Sequence, residues 1–153
     1  TTPPHHRFPI RVYYEDTDAA GIVYYANYLR FAERGRTEML RTLGIHQTDL
    51  LREAGVAFAV LRCEIHYLRP ARLDDHLDVL SWITDIRAAS VDFAQTIRRG
   101  DQDLVRAAVA VASLDRNGRP TRLPGAIRQV LAELTTAPPD ASLAPAPAGA
   151  ETR

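Results

Sequence analysis

Residues 13–40 read YYEDTDAAGIVYYANYLRFAERGRTEML, and the order of residue types in this stretch sets the rest of the chain. A β-prone run, Arg11-Val12-Tyr13-Tyr14, ends in the acids Glu15, Asp16 and Asp18. A turn containing Gly21 follows, then Tyr24 and Tyr25, then a segment of strong helix formers. A carboxylate is thereby set at a strand end, ahead of a helix N-terminus whose first backbone N–H groups have no intrahelical acceptor. Those free donors can hold an oxyanion, and acyl-transfer chemistry needs that combination.

Working outward, Phe8, Ile10, Val12 and Tyr14 alternate with other residues and predict a first strand over Arg7–Tyr14. The helix is expected from Ala26 or Asn27 to Leu43, with Gly44 placed for a left-handed C-cap. Tyr28, Ala32, Gly35, Met39 and Leu43 recur at helical spacing as its apolar stripe. The small residues Ala32 and Gly35 let another backbone come close, as a sheet wrapped on this helix requires. Arg30, Glu33, Arg34, Arg36, Glu38 and Arg41 are left for the solvated surface. A short second helix is expected over Gln47–Glu53, and strands over Ala57–Leu68, His76–Arg87, Val91–Arg99 and Leu104–Asp115. Leu104–Leu114 suits a helix nearly as well, because of its alanines; Val105, Val109 and Val111 on one parity favour a strand. A last helix is expected over Leu123–Leu134, with Pro124 at its start.

This order, one strand, a long helix and four consecutive strands, suits a single antiparallel sheet with one helix against its face. Residues 1–6 read as a flexible N-terminus, 7–135 as the domain, and 136–153 as a disordered tail rich in Pro and Ala. Unprotected sheet edges make a dimer that joins sheets or pairs helices a natural expectation.

The 153 residues suffice for one domain with a real core. Basic and acidic residues balance at 19 each, which gives no field for nucleic acid, and every basic residue is arginine. No signal peptide or transmembrane segment is evident, so a cytoplasmic location is expected. The single cysteine, Cys63, excludes an internal disulfide and any CxxC site, and its alternating apolar context suggests a buried small hydrophobe. His66 lies three residues on and faces the other side of the strand from Cys63, which argues against a Cys–His nucleophile. No cluster of His, Cys or acids has metal-ligand spacing.

The polar residues near the turn divide by role. Glu15 and Asp16 fit turn or helix-terminus hydrogen bonding. Asn27 suits a helix cap or the ordering of water. Glu33 has Arg30, Arg36 and Thr37 at helical spacing and reads as an ion-paired residue. His66 sits near the Arg69-Pro70 turn, either lining a pocket or at a surface or interface.

Residues 14–28, YEDTDAAGIVYYANY, closely resemble the signature of hotdog-fold acyl-CoA thioesterases of the 4-hydroxybenzoyl-CoA thioesterase superfamily. The later run RCEIHYLRPARLDD, residues 62–75, resembles that family's second strand and following turn. With ERGRTEML at 33–40, the chain is most similar to the Tol-Pal-cluster branch. The resemblance spans residues 7–135. It implies an α+β hotdog fold, a five-stranded antiparallel sheet wrapped around one long central helix. It also implies a thioester hydrolase acting on acyl-CoA, with no cofactor, in homodimers or homotetramers whose active sites lie at the subunit interface. An acyl carrier protein is the other thioester donor to consider.

By position, the resemblance assigns Asp18 as the catalytic carboxylate, acting as nucleophile or as general base. It assigns the Tyr25 N–H as the donor to the thioester oxygen, with Gly21, Val23, Tyr24, Asn27 and His66 as substrate-binding positions. Gly21 lets the turn approach the substrate, and Arg69, Arg72, Arg87, Arg98 and Arg99 are candidates for the phosphates of coenzyme A. The chain departs from many Tol-Pal relatives at Tyr25, where they carry histidine; a phenol can give or take a hydrogen bond but stays protonated at neutral pH. That difference bears on substrate range more than on reaction class. The competing readings are a hotdog acyl-CoA hydratase or dehydratase, which typically needs an Asp–His pair, and a non-catalytic acyl-thioester binding module.

Overall fold

From His76 onward the alternating apolar pattern becomes strand pairing, and the turns between the runs set its register. In the computed structural model, which describes residues 2–139, the elements in chain order are β1 His6–Arg11, a 3-10 turn Tyr14–Asp16, α1 Asn27–Thr42, α2 Gln47–Ala54, β2 Ala57–Tyr67, β3 His76–Ile86, β4 Ser90–Arg99, β5 Gln102–Leu114 and α3 Gly125–Leu134. The strands form one five-stranded antiparallel sheet in the order β1-β3-β4-β5-β2. Three helices accompany it, α1 being the longest at 16 residues. Of the tail expected over residues 136–153, residues 140–153 lie outside the described residues. No helix among the described residues is long and apolar enough to cross a membrane.

The first strand is shorter than its pattern suggested. Tyr14 leaves the extended conformation because Tyr14–Asp16 closes a 3-10 turn, with Asp16 N–H donating to Tyr13 O and the Tyr13 N–H to Asp16 Oδ2. β5 is a strand throughout, and its inward row Val105, Ala107, Val109 and Val111 is buried. Here pairing on both sides, with β4 and β2, outweighs the helix propensity of the alanines. A register shift between Val60 and Arg62 leaves Leu61 unpaired and exposed on the edge strand β2.

α1 buries Tyr28, Phe31, Ala32, Gly35, Met39 and Leu40, a wider stripe than the spacing predicted, while Leu43 stays partly exposed. At Gly35 the helix packs tightly on the sheet. A Cβ placed there would lie 2.5 Å from Val79 Cγ1 on β3. Beside it the buried Gln95 of β4 donates to Ala32 O at 2.9 Å and to Ser81 Oγ at 3.0 Å, and accepts from Arg36 Nη1 at 2.9 Å. Arg36 is therefore drawn inward and is not the solvated surface charge its position suggested. A buried amide needs all its polar atoms satisfied, and the guanidinium supplies the last donor. Cys63 is also misplaced by the sequence pattern: it is exposed, because its edge strand lacks a neighbour on the far side.

The Gly35 contact yields a test. Gly35→Ala gains roughly 1 kcal/mol of helix propensity, but overpacking against Val79 typically costs about 1–3 kcal/mol. The clash should win, so the variant melts several degrees below the parent in a thermal scan. A midpoint at or above the parent's would show that α1 has room to shift.

Candidate active site

The three acids occupy a short loop whose backbone is almost fully hydrogen-bonded. Thr17 and Val23 bridge antiparallel, Asp18 N–H donates to Ile22 O at 2.8 Å, and Gly21 N–H returns to Asp18 O at 3.1 Å. Gly21 closes this turn in the left-handed region at φ +79°, where a side chain would be strained. Val23 is buried and anchors the loop through its N–H to Ala71 O at 2.9 Å. Ile22 bridges to Arg72, so the loop borders the Arg72–Asp75 turn.

Asp16 ties this loop to the helix. Its carbonyl accepts from Tyr24 N–H and from Asn27 Nδ2, each at 2.9 Å, while its carboxylate caps the preceding 3-10 turn. Asn27 thus does not cap α1 with its side chain. It is the first residue of the helix and reaches back to hold the acid loop. Asp18 is exposed, with Oδ1 accepting from Ala20 N–H at 2.8 Å in an Asx-type turn. Its other carboxylate oxygen has no partner among the described residues. Glu15 is exposed and takes no part in the loop's bonding.

Beyond the loop, tyrosines converge. Tyr25 and Tyr67 meet edge to face at 6.1 Å between ring centroids, Tyr24 lies 5.0 Å from Tyr25, and Tyr28 lies 5.7 Å from Tyr67. Tyr67 Oη donates to Tyr25 O at 3.1 Å, and Tyr28 Oη accepts from Ala71 N–H at 2.9 Å. Burial pushes the Tyr28 phenol above its ordinary pKa, and Asp18 is among the charges adding to that rise. Burial likewise raises Tyr67. Both rings are neutral donors and acceptors at physiological pH. With Ile22, Val23, Leu68, Arg69 and Pro70, the rings of Tyr25, Tyr28 and Tyr67 line a cleft of about 290 Å³. The Tyr25 N–H, in the turn just ahead of α1, has no acceptor among the described residues. A substrate carbonyl oxygen would meet there both a free donor and the positive end of the helix dipole.

Of the residues the sequence singled out, Asp18, Gly21, Val23, Tyr24, Tyr25 and Asn27 come together on this loop and helix start. His66 does not join them: it shares the opposite face of β2 with Glu64, 3.2 Å away, and pairs in register with Arg106. Tyr67, one residue later, turns into the cleft instead. The signal was available in strand parity, because Tyr67 continues the row of Cys63 and Ile65. Glu33 makes no ion pair among the described residues; with Arg36 turned toward Gln95, it lines a different cavity.

A family model described as the thioesterase-like superfamily matches residues 12–140, and the chain belongs to that superfamily. Among its relatives is the acyl-CoA thioesterase YbgC of Haemophilus influenzae, 48% identical over 108 residues, 71% of this chain and 79% of the relative. The acyl-CoA thioester hydrolase YbgC of Escherichia coli is 46% identical over 123 residues, 79% of this chain and 91% of the relative. A probable thioesterase from Bartonella henselae superposes with TM-score 0.74 at 40% identity, over 78% of this chain and 98% of that one. The 1,4-dihydroxy-2-naphthoyl-CoA thioesterase Slr0204 of Synechocystis superposes at TM-score 0.78 with 22% identity, covering 84% of this chain and 96% of that one, a likeness of fold.

The turn beside the loop carries its own ion pair. Arg99 Nη1 donates to Asp75 Oδ2 at 2.7 Å, and Arg72 N–H reaches the same oxygen at 2.8 Å. Burial works against the Asp75 carboxylate, but the Arg72 N–H and the Arg99 guanidinium together hold its carboxyl below the usual range. A carboxyl whose pKa falls on folding stabilises the protein above its unfolded pKa, and that contribution is lost as pH drops through the folded value. Asp75→Asn should therefore cost roughly 1–2 kcal/mol at neutral pH, and the gap to the parent should close in strong acid. Thermal melts across pH 2–7 check this; a gap independent of pH would contradict it.

Proposed function

We propose that the chain hydrolyses acyl-CoA thioesters to the free acid and coenzyme A, with Asp18 as the reacting carboxylate and the Tyr25 N–H polarising the thioester carbonyl. The observation that carries this reading is an exposed carboxylate, one oxygen oriented by Ala20 N–H and the other without a partner among the described residues, on the same loop and helix start as an N–H that likewise has no acceptor among them. The names of the bacterial relatives support the substrate class.

Two routes fit the residues. As a general base, Asp18 takes a proton from water while the water oxygen attacks the carbonyl carbon. As a nucleophile, it attacks that carbon itself and forms a mixed anhydride, which water then opens. In both, the C–S bond breaks and the thiolate of coenzyme A leaves and is protonated. The carbonyl oxygen becomes an oxyanion at the Tyr25 N–H, an interaction typically worth about 2.7–4 kcal/mol in the transition state. Tyr25 supplies a backbone donor, so its phenol in place of histidine leaves this role intact, and the ring lines the cleft.

α1 serves in this reading as the central helix of a hotdog fold, with β2 at the free edge. Val60, Leu61 and Tyr67 are exposed there, which supports homodimers built on that edge, further paired into tetramers, with active sites at the interface. Among the arginines considered for the phosphates, Arg87 is bound twice to Asp92, Arg98 to Asp103 and Arg99 to Asp75. The side chains of Arg69 and Arg72 make no hydrogen bond or ion pair among the described residues, although Arg72 lies within the field of Asp75, and Arg69 lines the cleft. These two are assigned to the phosphates. A cytoplasmic location and an acyl carrier protein as second donor are consistent with this chemistry.

Purified protein should release thiol from a panel of acyl-CoA and acyl-carrier thioesters, and Asp18→Asn should lower kcat by about 10²–10⁴ with its melting point kept. Undiminished hydrolysis by a folded Asp18→Asn variant would remove Asp18 from the mechanism. Arg69→Ala combined with Arg72→Ala should raise KM for acyl-CoA with little change in kcat. A normal KM would assign the phosphates elsewhere.

A further inference from the structure

A second cavity, of about 260 Å³, lies along α1 away from the tyrosine cleft, between that helix, α2, α3 and the inner face of the sheet. Leu40, Phe58, Val91, Phe93, Val111 and Leu131 make its walls apolar. Into this chamber comes the guanidinium of Arg36. It is partly buried, with Nη1 bonded to Gln95 Oε1 and no carboxylate within ion-pair distance among the described residues. Burial presses its pKa below the ordinary arginine value. Glu33, on the same cavity wall, and Cys63 are the groups whose fields favour its charge.

A partly desolvated cation beside an apolar chamber is stabilised when an anion meets it. Three further N–H hydrogens, on Nε and Nη2, have no acceptor among the described residues, and the fork of a guanidinium matches a carboxylate in two parallel bonds. The apolar walls then call for an uncharged body behind that carboxylate. At about 30 Å³ per water-sized unit, the volume holds on the order of nine such units, the size of an eight-carbon fatty acid or a simple aromatic acid.

We propose that this cavity is a binding site for a carboxylic acid of that size, its carboxylate on Arg36 and its body between Phe58 and Phe93. Two sources share this chemistry. One is a free acid, such as the product of hydrolysis, held apart from the reacting centre. The other is the distal carboxylate of a bound ω-carboxyacyl thioester; this source alone rests on the thioesterase reading. The free-acid source stands or falls without any turnover.

The test uses the full chain and isothermal titration with octanoate, with octanol as the uncharged match. Arg36→Gln keeps a donor for Gln95 and removes the charge, and Val111→Phe fills the chamber while keeping Arg36. For a free-acid site, the parent binds octanoate at least tenfold more tightly than octanol, Arg36→Gln erases that preference, and Val111→Phe weakens both ligands. For the acyl source, octanoate binds weakly to the parent, but kcat/KM for suberyl-CoA over octanoyl-CoA falls at least tenfold in Arg36→Gln. The proposal is overturned if Arg36→Gln alters neither the octanoate preference nor the suberyl preference, or if the parent has neither. Absence of all hydrolysis with the octanoate preference intact would sink the thioesterase reading and leave this site standing. Melting points of both variants confirm that any loss of binding comes from a folded chain.

Discussion

The Asp16 carbonyl, accepting from both Tyr24 N–H and Asn27 Nδ2, is the constraint on which the candidate site depends. Without it the acid loop and the start of α1 are held together only indirectly, through the bonds of Val23 and Tyr28 to Ala71. With it, the turn that presents Asp18 and the turn that leaves the Tyr25 N–H free form one rigid unit. The 3-10 turn beneath Asp16 and the bond from Val23 to Ala71 fix that unit to the sheet. Order of this kind favours catalysis because donors need no reorganisation as charge develops.

The same economy of backbone partners explains the helix below. α1 approaches β3 so closely at Gly35 that a Cβ there would have to displace Val79, and Gln95 answers Ala32 O, Ser81 and Arg36 at once. One buried amide thus links the sheet, the helix backbone and the Arg36 guanidinium. The two cavities lie on either side of this contact, the tyrosine cleft toward the start of α1 and the apolar chamber toward its end.

The periodic parts were legible in the sequence: each of the four later strands stands within two residues of its expected bounds, and α1 within one. They were legible because side-chain period follows directly from element type. The acid loop was legible through a motif in which Gly21 is required by its positive φ. What escaped the pattern depended on a neighbour remote in sequence. Arg36 looked like surface charge because its partner Gln95 lies 59 residues away. Cys63 looked buried because alternation does not say which strand ends up at the edge. Asn27 looked like a cap because a residue at a helix start usually is one, whereas its amide serves the loop. His66 and Tyr67 are adjacent, and only the pairing of β2 with β5 decides which of them enters the cleft.

In the proposed mechanism, tethering the acid loop to the helix start sets the position of Asp18 relative to the Tyr25 N–H. The most direct measurement is the turnover of Asn27→Ala beside its affinity for a non-hydrolysable acyl-CoA thioether. The tether acts on the reacting centre, so kcat should fall at least tenfold while thioether affinity stays within about twofold, consistent with loss of transition-state contacts alone. An unchanged kcat in a folded Asn27→Ala variant would contradict the account.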